Sequence, residues 1–458
     1  MSGMERFLEG KSVVVYGLGK SGIAAARLLL REGARVSGID ARTEADLGEP
    51  AAALRAQGVR LSLGSAPADL LNSADLIVLS PGVPFGLPEV QRARAAGIKI
   101  WGEVELASKF LEGPILGITG TNGKSTTTAL TGELLAQSGK RVFVGGNLGR
   151  PLAEAPLQSE PFDAYCIELS SFQLEGTDSL RVHGAALLNL TPDHLDRYAS
   201  FAEYGAAKAR IFHNQREGDF AVVNAEDSSV VELARSARVP VYGFSLDIAR
   251  SGLPLAGGAR RAPGGFQIQL GGSKPEAYAL SNPALRGGHN LKNAMAAALL
   301  ARLAGAPPEA VQGGLSSFSG LAHRMESVRT LNGVEWINDS KATNVESALV
   351  ALRALKGNVW LIAGGRGKGA PYAPLVEESR GKVNGILTIG EDAAAIAAAF
   401  GSSLPIHSCE SLDRAVERAR SLARRGDVVL LSPACASYDQ FQNFEDRGDT
   451  FKRLVRAL

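Results

Sequence analysis

The sequence predicts an α/β protein in which largely parallel sheets are covered by helices. Short runs rich in Val, Ile and Leu alternate with Ala- and Leu-rich helical stretches along almost the whole chain, as in successive βαβ units. The 458 residues are too many for one hydrophobic core, and at about 150 residues per domain they predict roughly three domains. Gly-rich loops directly after two of the strands indicate nucleotide sites.

Residues 1–112 are predicted to form the first domain. Its strands are SVVVY, ARVSGID, ADLIVLS and the short IKIWG, and the loop GLGKSG at 17–22 follows the first of them. This GxGxxG loop, with Asp40 at the end of the second strand, is typical of a Rossmann-like domain that binds a dinucleotide. Alone, the pattern favours NAD, with a purely structural turn as the alternative. The loop SPG at 80–82 ends a later strand and would line the same crevice.

Residues 113–320 form the second predicted domain, which opens with the strand PILGIT and the loop TGTNGKST at 119–126. Its later strands are predicted at AYCIELSS (164–171), GAALLNLTPDH (184–194) and DFAVVNAED (219–227). Glycines let such a loop wrap a phosphate, with Lys124 reaching the outer phosphates and the Ser125 hydroxyl on Mg²⁺. The strict P-loop pattern needs glycine where Ile118 stands, so this loop is a variant. The alternative is a Gly-rich turn with a solvent lysine.

Further along the second domain, three side chains are candidates for the same site. Glu168 ends the apolar strand AYCIE, where a carboxylate is costly without a partner, and Mg²⁺ needs oxygen ligands from outside the loop. His194 lies in TPDHLDRY, and Lys208 lies on the predicted helix FAEYGAAKARIF. Taken singly, these residues would be a solvated carboxylate, a structural histidine and a solvent lysine. The Gly-rich stretch from about 246 to 288 is predicted as antiparallel hairpins.

Residues 321–458 form the third predicted domain. Its strands VEWIN, NVWLIAGG, GILTIG and DVVLLS are followed by polar or flexible loops. These loops are NDSKATN at 338–344, GGRGKG at 364–369 and SPACASYDQF at 432–441. Because parallel strands end at one edge of a sheet, the loops are expected to share a cleft. Each loop alone could be an ordinary connection, and a hinge is expected near 318–324.

Composition excludes several classes of protein. The net charge of +2 gives no general field for nucleic acid or an anionic membrane. The three cysteines lack CxxC spacing, which favours a reducing compartment over a disulfide framework. The N-terminus has charge where a signal peptide needs an apolar run, and the apolar runs are too short to cross a bilayer. We therefore expect a cytoplasmic protein, acting as a monomer.

Ordered motifs across the chain resemble those of the Mur ligases: TGTNGKST, ELSSFQLE, NLTPDHLDRY, GGHNLKNA, LAHRME and NDSKATN. Within that family, ELSSFQLE, NDSKATN and SPACASYDQFQNFEDRGDTF are most similar to the branch that adds D-glutamate. The resemblance implies a ligase of peptidoglycan precursor synthesis that uses ATP and two Mg²⁺ ions. ATP would phosphorylate the alanine carboxylate of UDP-N-acetylmuramoyl-L-alanine, and D-glutamate would attack the acyl phosphate. The first domain would then bind UDP and not NAD, the central domain ATP, and the C-terminal Rossmann-like domain the amino acid.

The resemblance also assigns residues. The catalytic residues would be Lys124, Glu168, His194 and Lys208, with Lys208 carbamylated. The metal sites would be formed by Ser125, Glu168, His194 and Lys208. ATP would contact Gly120, Thr121, Asn122, Gly123, Lys124, Ser125, Thr126, Asn290, Arg324 and Asp339, with His323 nearby. The UDP-muramoyl group would contact Gly19, Ser21, Asp40, Arg42, Ser80, Gly82 and Asn147. D-Glutamate would contact Lys341, Thr343, Lys368, Ser437 and Phe444. Ala41 departs from some members of the family, which have a hydroxyl residue there.

Three other functions explain these motifs less completely. A folylpolyglutamate-type ligase shares the central fold but lacks the N-terminal GxGxxG domain. A nicotinamide-dependent oxidoreductase would explain the first loop but not the second loop or Glu168. A non-enzymatic nucleotide-binding module would need neither the acid nor the strand-end clusters of the third domain.

Overall fold

The computed structural model describes residues 7–64, 68–193, 197–247 and 252–458. His194 lies outside these ranges. The described residues form three sheets of five, nine and six strands, which confirms the predicted α/β class with mainly parallel strands. Two compact units are found: one runs to Leu280 and includes Lys292–Ser316, and the other comprises Ser281–Leu291 and Ser317–Leu458. Within the described ranges, no helix is long and apolar enough to cross a membrane.

The N-terminal sheet is wholly parallel, with the strand order β3-β2-β1-β4-β5. Its strands are β1 (Ser12–Tyr16), β2 (Arg35–Asp40), β3 (Arg60–Leu63), β4 (Leu76–Leu79) and β5 (Lys99–Gly102). Its helices are α1 (Lys20–Arg31), α2 (Glu44–Leu47), α3 (Glu49–Ala56), α4 (Ala68–Asn72), α5 (Pro88–Ala95) and α6 (Glu103–Ser108). β4, with the sequence LIVL, is buried throughout, as expected for a strand covered on both faces.

The central sheet has the order β14-β13-β12-β11-β10-β9-β6-β8-β7. Its strands are β6 (Ile115–Thr119), β7 (Val142–Gly146), β8 (Ala164–Glu168), β9 (Gly184–Leu187), β10 (Phe220–Asn224), β11 (Val241–Ser245), β12 (Leu255–Ala262), β13 (Gly265–Leu270) and β14 (Glu276–Ala279). Its helices are α7 (Lys124–Ala136), α8 (Ser171–Glu175), α9 (Phe201–Ala209), α10 (Ser228–Ala234), α11 (Gly288–Leu303) and α12 (Pro308–Ser317). β12, β13 and β14 are antiparallel, which confirms the hairpins predicted for this stretch.

The C-terminal sheet has the order β15-β16-β20-β17-β18-β19, with only β15 antiparallel. Its strands are β15 (Glu326–Leu331), β16 (Val334–Asn338), β17 (Val359–Gly364), β18 (Val383–Ile389), β19 (Ile406–Glu410) and β20 (Val428–Leu431). Its helices are α13 (Val345–Ala354), α14 (Ala373–Ser379), α15 (Ala393–Phe400), α16 (Leu412–Leu422) and α17 (Phe444–Ala457). The three loops predicted to share a cleft follow β16, β17 and β20, which are neighbours in this sheet.

Five strands are absent from the sequence prediction: β3, β7, β11, β15 and β19. Four of them are edge strands of their sheets. An edge strand is covered less completely, so its apolar pattern is weaker; β3, for example, has no fully buried residue. One predicted strand, 184–194, is too long, because β9 ends at Leu187.

Helix α6 joins the N-terminal sheet to the central one through two buried carboxylates. Glu105 accepts hydrogen bonds from the backbone N–H groups of Asp178, Ser179 and Leu180 over 2.9–3.1 Å and pairs with Lys109. Glu103 accepts one from the N–H of Ala153 over 2.5 Å. Both carboxylates are buried, so α6 fixes these two parts of one unit against each other.

Candidate functional site

The loop between β6 and α7 has the strand–loop–helix geometry that the TGTNGKST motif predicts. Gly123 adopts a left-handed conformation, with φ +84°, just before the helix begins at Lys124. A Cβ at Gly123 would collide with the side-chain oxygen of Asn293 on α11. Position 123 therefore requires glycine for both its backbone conformation and its close neighbour.

Lys124 folds back over this loop. Its Nζ donates to the carbonyl oxygens of Gly120 over 3.0 Å and Thr121 over 2.8 Å. Ser125 follows in the first turn of α7 and is 1% exposed. The ammonium group and the N-terminus of α7 thus lie at the same end of the helix, an arrangement that suits a phosphate.

Glu168 ends β8 beside this loop, because β6 and β8 are neighbours with Ile118 opposite Glu168. The carboxylate is only 3% exposed, so the alternative of a solvated glutamate is wrong. Its partner is Asn147, whose Nδ2 donates to Glu168 Oε1 over 2.7 Å and whose backbone N–H donates to Glu168 O over 2.9 Å. The structure thus brings Asn147, assigned by resemblance to the UDP-muramoyl group, onto Glu168.

Lys208 lies on α9 and is 2% exposed, which rules out the alternative of a solvent lysine. Its Nζ donates to Gly120 O over 2.8 Å and lies 4.7 Å from the ring centre of Tyr204. Burial, followed by the charge of Lys124, holds the pKa of Lys208 well below its usual value. A buried lysine of this kind is a candidate for covalent chemistry as the neutral amine.

The donor chemistry fits one Mg²⁺ ion near the loop. The Ser125 hydroxyl and the Glu168 carboxylate are the hard oxygen ligands that Mg²⁺ prefers beside phosphate oxygens. Across the described residues, no cluster of three or more His, Cys, Asp or Glu could hold a metal by itself. Lys208 cannot bind a cation as an ammonium group, whereas a carbamate on the same nitrogen would add two oxygens.

In the N-terminal sheet, Asp40 is engaged by protein groups. Its carboxylate accepts from the N–H of Leu18 over 2.6 Å and from Nε and Nη2 of Arg42 over 2.9 and 2.8 Å. The Arg42 guanidinium, against the opposing effect of burial, lowers the pKa of Asp40 to about 2. The acid therefore organises the loop and Arg42, which weakens the interpretation of Asp40 as an open ribose acceptor for NAD.

The other N-terminal candidates surround the same loop. Gly19 precedes α1, whose first turn contains Ser21, and Ser80 Oγ donates to Gly17 O over 2.6 Å. Arg197 of the central part stacks 3.8 Å from the ring centre of Phe172. Its Nη1 donates to Pro81 O over 3.4 Å. The loop 80–82, which includes Gly82, is thereby tied to the segment that follows residues 194–196.

In the C-terminal unit, Asp339 joins two strand ends. Its Oδ2 accepts from Ser432 Oγ over 2.8 Å, and its Oδ1 accepts from the N–H of Met325 over 3.2 Å. Burial raises the pKa of Asp339 to about 7, against these hydrogen bonds. His323 and Met325 adopt left-handed conformations, with φ 63° and 44°, in the segment where a hinge is predicted. Asn290 Nδ2 donates to Arg286 O over 3.0 Å.

The D-glutamate candidates lie around the same strand ends. Lys341 Nζ lies 4.6 Å from the ring centre of Phe444, and the N–H of Thr343 donates to Lys341 O over 2.8 Å. Ser437 is buried in the loop after β20, and Lys368 is exposed in the loop after β17. These loops offer cationic, hydroxyl and aromatic groups at one edge of the sheet.

Arg447 is a buried residue that the sequence does not predict as part of the site. Its guanidinium donates to Ser340 Oγ, Ser340 O, Cys435 O and Ala436 O over 2.9–3.3 Å. Burial lowers its pKa to about 10. The residue holds the loops after β16 and β20 together. In the sequence, Arg447 lies four residues before Phe451, on the face of α17 that is buried. An arginine in a charged helix is normally interpreted as solvent-exposed, so this spacing alone does not reveal its role.

Three family models match the chain in order: the Mur ligase MurD-like N-terminal domain at residues 11–102, the Mur ligase middle domain at 118–301 and the Mur ligase glutamate ligase domain at 323–435. A UDP-N-acetylmuramoylalanine–D-glutamate ligase of Myxococcus xanthus is 61% identical, over 98% of this chain and 99% of its own. A relative of the same name from Anaeromyxobacter dehalogenans is 54% identical, over 98% of each chain.

Solved structures share the fold at low identity. The UDP-N-acetylmuramate–alanine ligase of Thermotoga maritima has a TM-score of 0.62 at 20% identity, over 98% of this chain and 99% of its own. A MurF ligase of the same organism, in complex with ADP, has a TM-score of 0.61 at 17% identity, over 99% and 97%. From the three ordered domain models and the full-length relatives, the chain belongs to the Mur ligase family.

Proposed function

We propose that this chain is an ATP-dependent ligase that adds D-glutamate to UDP-N-acetylmuramoyl-L-alanine in peptidoglycan precursor synthesis. The observation that carries the proposal is the cluster at the end of the central sheet, where the P-loop, Glu168 and buried Lys208 meet. The names of relatives up to 61% identical over nearly the whole chain support the choice of both substrates. Neither NAD chemistry nor simple nucleotide binding accounts for a carboxylate and a buried lysine beside the loop.

Activation of a carboxylate is the chemical difficulty of this reaction. A free carboxylate is a poor electrophile, and its phosphorylation brings two anions together. In our proposal Lys124 and the N-terminus of α7 stabilise the ATP phosphates, while Ser125 and Glu168 hold Mg²⁺. The bound ion supplies positive charge that offsets repulsion between the phosphates and the attacking carboxylate. The ATP contacts proposed in the loop and beyond are Gly120, Thr121, Asn122, Gly123, Thr126, Asn290, Arg324 and Asp339.

A carbamate on Lys208 is proposed for the second cation site, together with His194. Carbamylation would join the neutral amine of Lys208 to carbon dioxide through a new N–C bond, with one proton released to solvent, and the lowered pKa of Lys208 increases the fraction of neutral amine. The product carries a negative charge and would bond to a cation instead of repelling it. The charge of Lys124, which disfavours an ammonium at Lys208, would favour the carbamate.

The two other substrates are assigned to loops of the outer sheets. The UDP-muramoyl group would bind Gly19, Ser21, Asp40, Arg42, Ser80, Gly82 and Asn147. The carboxylates of D-glutamate would bind Lys341, Thr343, Lys368, Ser437 and the surroundings of Phe444, because anions need cationic and hydroxyl partners. Arg42 fits an anionic or carbonyl-rich ligand, since its half-exposed guanidinium is fixed by Asp40.

The domain limits of the proposal are 1–112, 113–320 and 321–458. Acyl phosphates hydrolyse readily, so the reaction requires that water be kept away from the reacting groups. A monomer is proposed as the active unit. The three cysteines are free thiols, as is common in the reducing cytoplasm.

Phosphate release with purified protein, ATP, Mg²⁺ and UDP-N-acetylmuramoyl-L-alanine tests the function. D-Glutamate should give sustained release, and L-glutamate or meso-diaminopimelate only the rate seen without an amino acid. Release that needs no UDP-sugar would indicate a simple ATPase. Preference for another amino acid would contradict the assignment of D-glutamate as substrate. Absence of phosphate release with every amino acid would contradict the assignment of ligase activity. Lys124→Ala should remove the activity, and near-normal turnover would contradict the P-loop role.

A further inference from the structure

The segment that follows β9 acts as a second support for the P-loop. β6 and β9 pair in parallel up to Thr119 and Leu187, and one more backbone bond joins the N–H of Leu188 to Thr119 O over 3.0 Å. Beyond that point both chains leave the sheet. Hydrogen bonds between the two segments nevertheless continue, because both the backbone and the side chain of Asn189 bond to the loop.

Asn189 makes three hydrogen bonds with two loop residues. Its carbonyl oxygen accepts from the N–H of Thr121 over 3.0 Å. Its side-chain Oδ1 accepts from the N–H of Asn122 over 2.8 Å, and its Nδ2 donates to Asn122 O over 2.9 Å. The primary amide thus satisfies both backbone groups of Asn122, as a peptide of a neighbouring strand would.

The segment that carries Asn189 is itself anchored. The N–H of Leu190 donates over 2.8 Å to Asp227, which also caps the N-terminus of α10. The N–H of Thr191 donates over 3.0 Å to Thr121 Oγ1, and that hydroxyl donates to Thr191 O over 3.1 Å. The bonds on both sides of Asn189 therefore connect the loop to the rigid part of the central sheet.

This geometry divides the loop into two parts. The N–H groups of Thr121 and Asn122 are directed at Asn189, so they are not the ones that point to an anion. The amides available to bind an anion are therefore those from Gly123 onward, at the N-terminus of α7, where Lys124 also lies. For the backbone amides, the expectation that the loop wraps a phosphate therefore applies to Gly123 and the residues that follow it.

We propose that Asn189 is a positioning residue that fixes Thr121 and Asn122, so that the N-terminus of α7 faces the phosphates of the nucleotide. The proposal rests on the proposed function for the assignment of the ligand as ATP. Asn189 would act on nucleotide binding through its hydrogen bonds to the loop. Its removal should therefore weaken phosphate binding while the UDP-sugar and amino-acid sites remain intact.

Asn189→Ala tests this with Mg·ADP and UDP as separate probes in isothermal titration calorimetry. The loss of two side-chain hydrogen bonds that hold the loop should weaken Mg·ADP binding about tenfold, with UDP binding unchanged. The matched control is Asn224→Ala. Asn224 ends the neighbouring strand β10, and its Oδ1 accepts from the N–H of Glu226 over 3.1 Å. This control loses a similar local bond away from the loop, and its Mg·ADP affinity should stay at the wild-type value.

Asn189→Asp provides a second variant of nearly the same shape. Aspartate keeps an acceptor for the N–H of Asn122. Its second oxygen, however, would face the carbonyl oxygen of Asn122 and repel it, so Mg·ADP binding should again weaken. In turnover assays both variants should raise the KM for ATP more than the KM for D-glutamate. A folded variant that binds Mg·ADP as tightly as wild type, or loses UDP affinity equally, would overturn the role of Asn189. If the wild-type chain binds no Mg·ADP, the proposed function fails instead.

Discussion

Lys124 and Lys208 donate to the same acceptor, the carbonyl oxygen of Gly120, over 3.0 and 2.8 Å. The two lysines come from different helices, and Lys208 is almost fully buried. Two ammonium groups around one neutral oxygen repel each other at close range. This repulsion is removed if Lys208 loses its proton or becomes a carbamate. Because Lys208 is the more deeply buried of the two, we expect it to be the lysine that reacts.

Lys208→Ala should lose nearly all ligase activity, because the proposed carbamate at the second cation site is removed. Added acetate or propionate, which can occupy the cavity as a small carboxylate, should restore part of it. The measurement is phosphate release against carboxylate concentration. Lys124→Ala is the comparison, since a missing cation cannot be replaced by an anion. Equal absence of rescue in both variants would contradict the carbamate.

Lys208 should also give the folded state a characteristic pH dependence in buffer free of carbon dioxide. Its pKa is lowered in the folded chain, so the unfolded chain binds more protons between that lowered pKa and the usual value for lysine. Stability contributed by this group therefore rises with pH across that window. In urea unfolding at pH 7 and 9.5, Lys208→Met should gain stability relative to wild type at pH 7 and lose that advantage at pH 9.5. A pH-independent difference would argue against a buried, destabilised ammonium.

Asp40→Asn should weaken the N-terminal loop and its ligand site. Arg42 lowers the pKa of Asp40 to about 2, so the carboxylate stabilises the fold above its usual pKa of about 4 and loses that effect as the pH falls from about 4 to 2. The contribution to the free energy of unfolding is at most about 2.5 kcal/mol. Asp40→Asn should thus be less stable than wild type at pH 7, and the difference should vanish near pH 2.

The same variant should raise the KM for the UDP-sugar and leave the KM for D-glutamate unchanged. Asp75→Asn is the control: Asp75 accepts from the N–H of Ser12 on the same sheet but is far more exposed. If both variants alter the UDP-sugar KM equally, Asp40 has no specific role in that site.

Sequence patterns predict best those parts of the site that are local in the chain. The P-loop and Glu168 are visible because glycines and an acid stand directly at strand ends. Asp40 is also visible there, but its partner differs from the expected one. Arg42, two residues later, donates to the carboxylate that would bind a ribose hydroxyl in a dinucleotide site. The pattern gives the position of such an acid and not the group it binds.

Other features depend on contacts far apart in sequence. Lys208 has the pattern of a solvent-facing helix residue, and only the packing of α9 against the loop buries it. Arg447 and Asn189 hold backbone groups of segments that lie 107 and 67 residues away. No local composition predicts such bonds, because every residue type offers the same backbone donors and acceptors, with the exception of the proline N–H.

Glu105→Gln should destabilise the junction between the N-terminal and central sheets. Burial alone would raise the pKa of Glu105, but the bonds from Lys109 and from three backbone N–H groups outweigh it and lower the pKa. Glutamine has nearly the same shape as glutamate, but its NH₂ group would face backbone N–H donors that need an acceptor. The substitution should therefore lower the free energy of unfolding by about 2–4 kcal/mol. Glu112→Gln, at an exposed position, should change it by less than about 0.5 kcal/mol. Similar small effects in both variants would mean that α6 is not a structural tie.

Gly448→Ala should destabilise the C-terminal unit, although alanine normally stabilises a helix by about 0.5–1 kcal/mol over glycine. Gly448 lies in α17, and a Cβ there would collide with the ring of His323. His323 is held by Asn338, whose Nδ2 lies 3.0 Å from His323 Nδ1, so the ring cannot move without the loss of that contact. The substitution should therefore also disturb the turn that precedes β15.

Gly313→Ala is the matched control for this prediction. Gly313 lies in α12, where a new Cβ would meet only the end of the Gln137 side chain at 3.9 Å. Here the helix preference should prevail, and the melting temperature should rise slightly, whereas Gly448→Ala should lower it. Overpacking of this kind costs about 1–3 kcal/mol, so the two substitutions should differ in sign. A stabilising Gly448→Ala would mean that the His323 ring yields easily, and that the left-handed turn at His323 does not depend on its packing against α17.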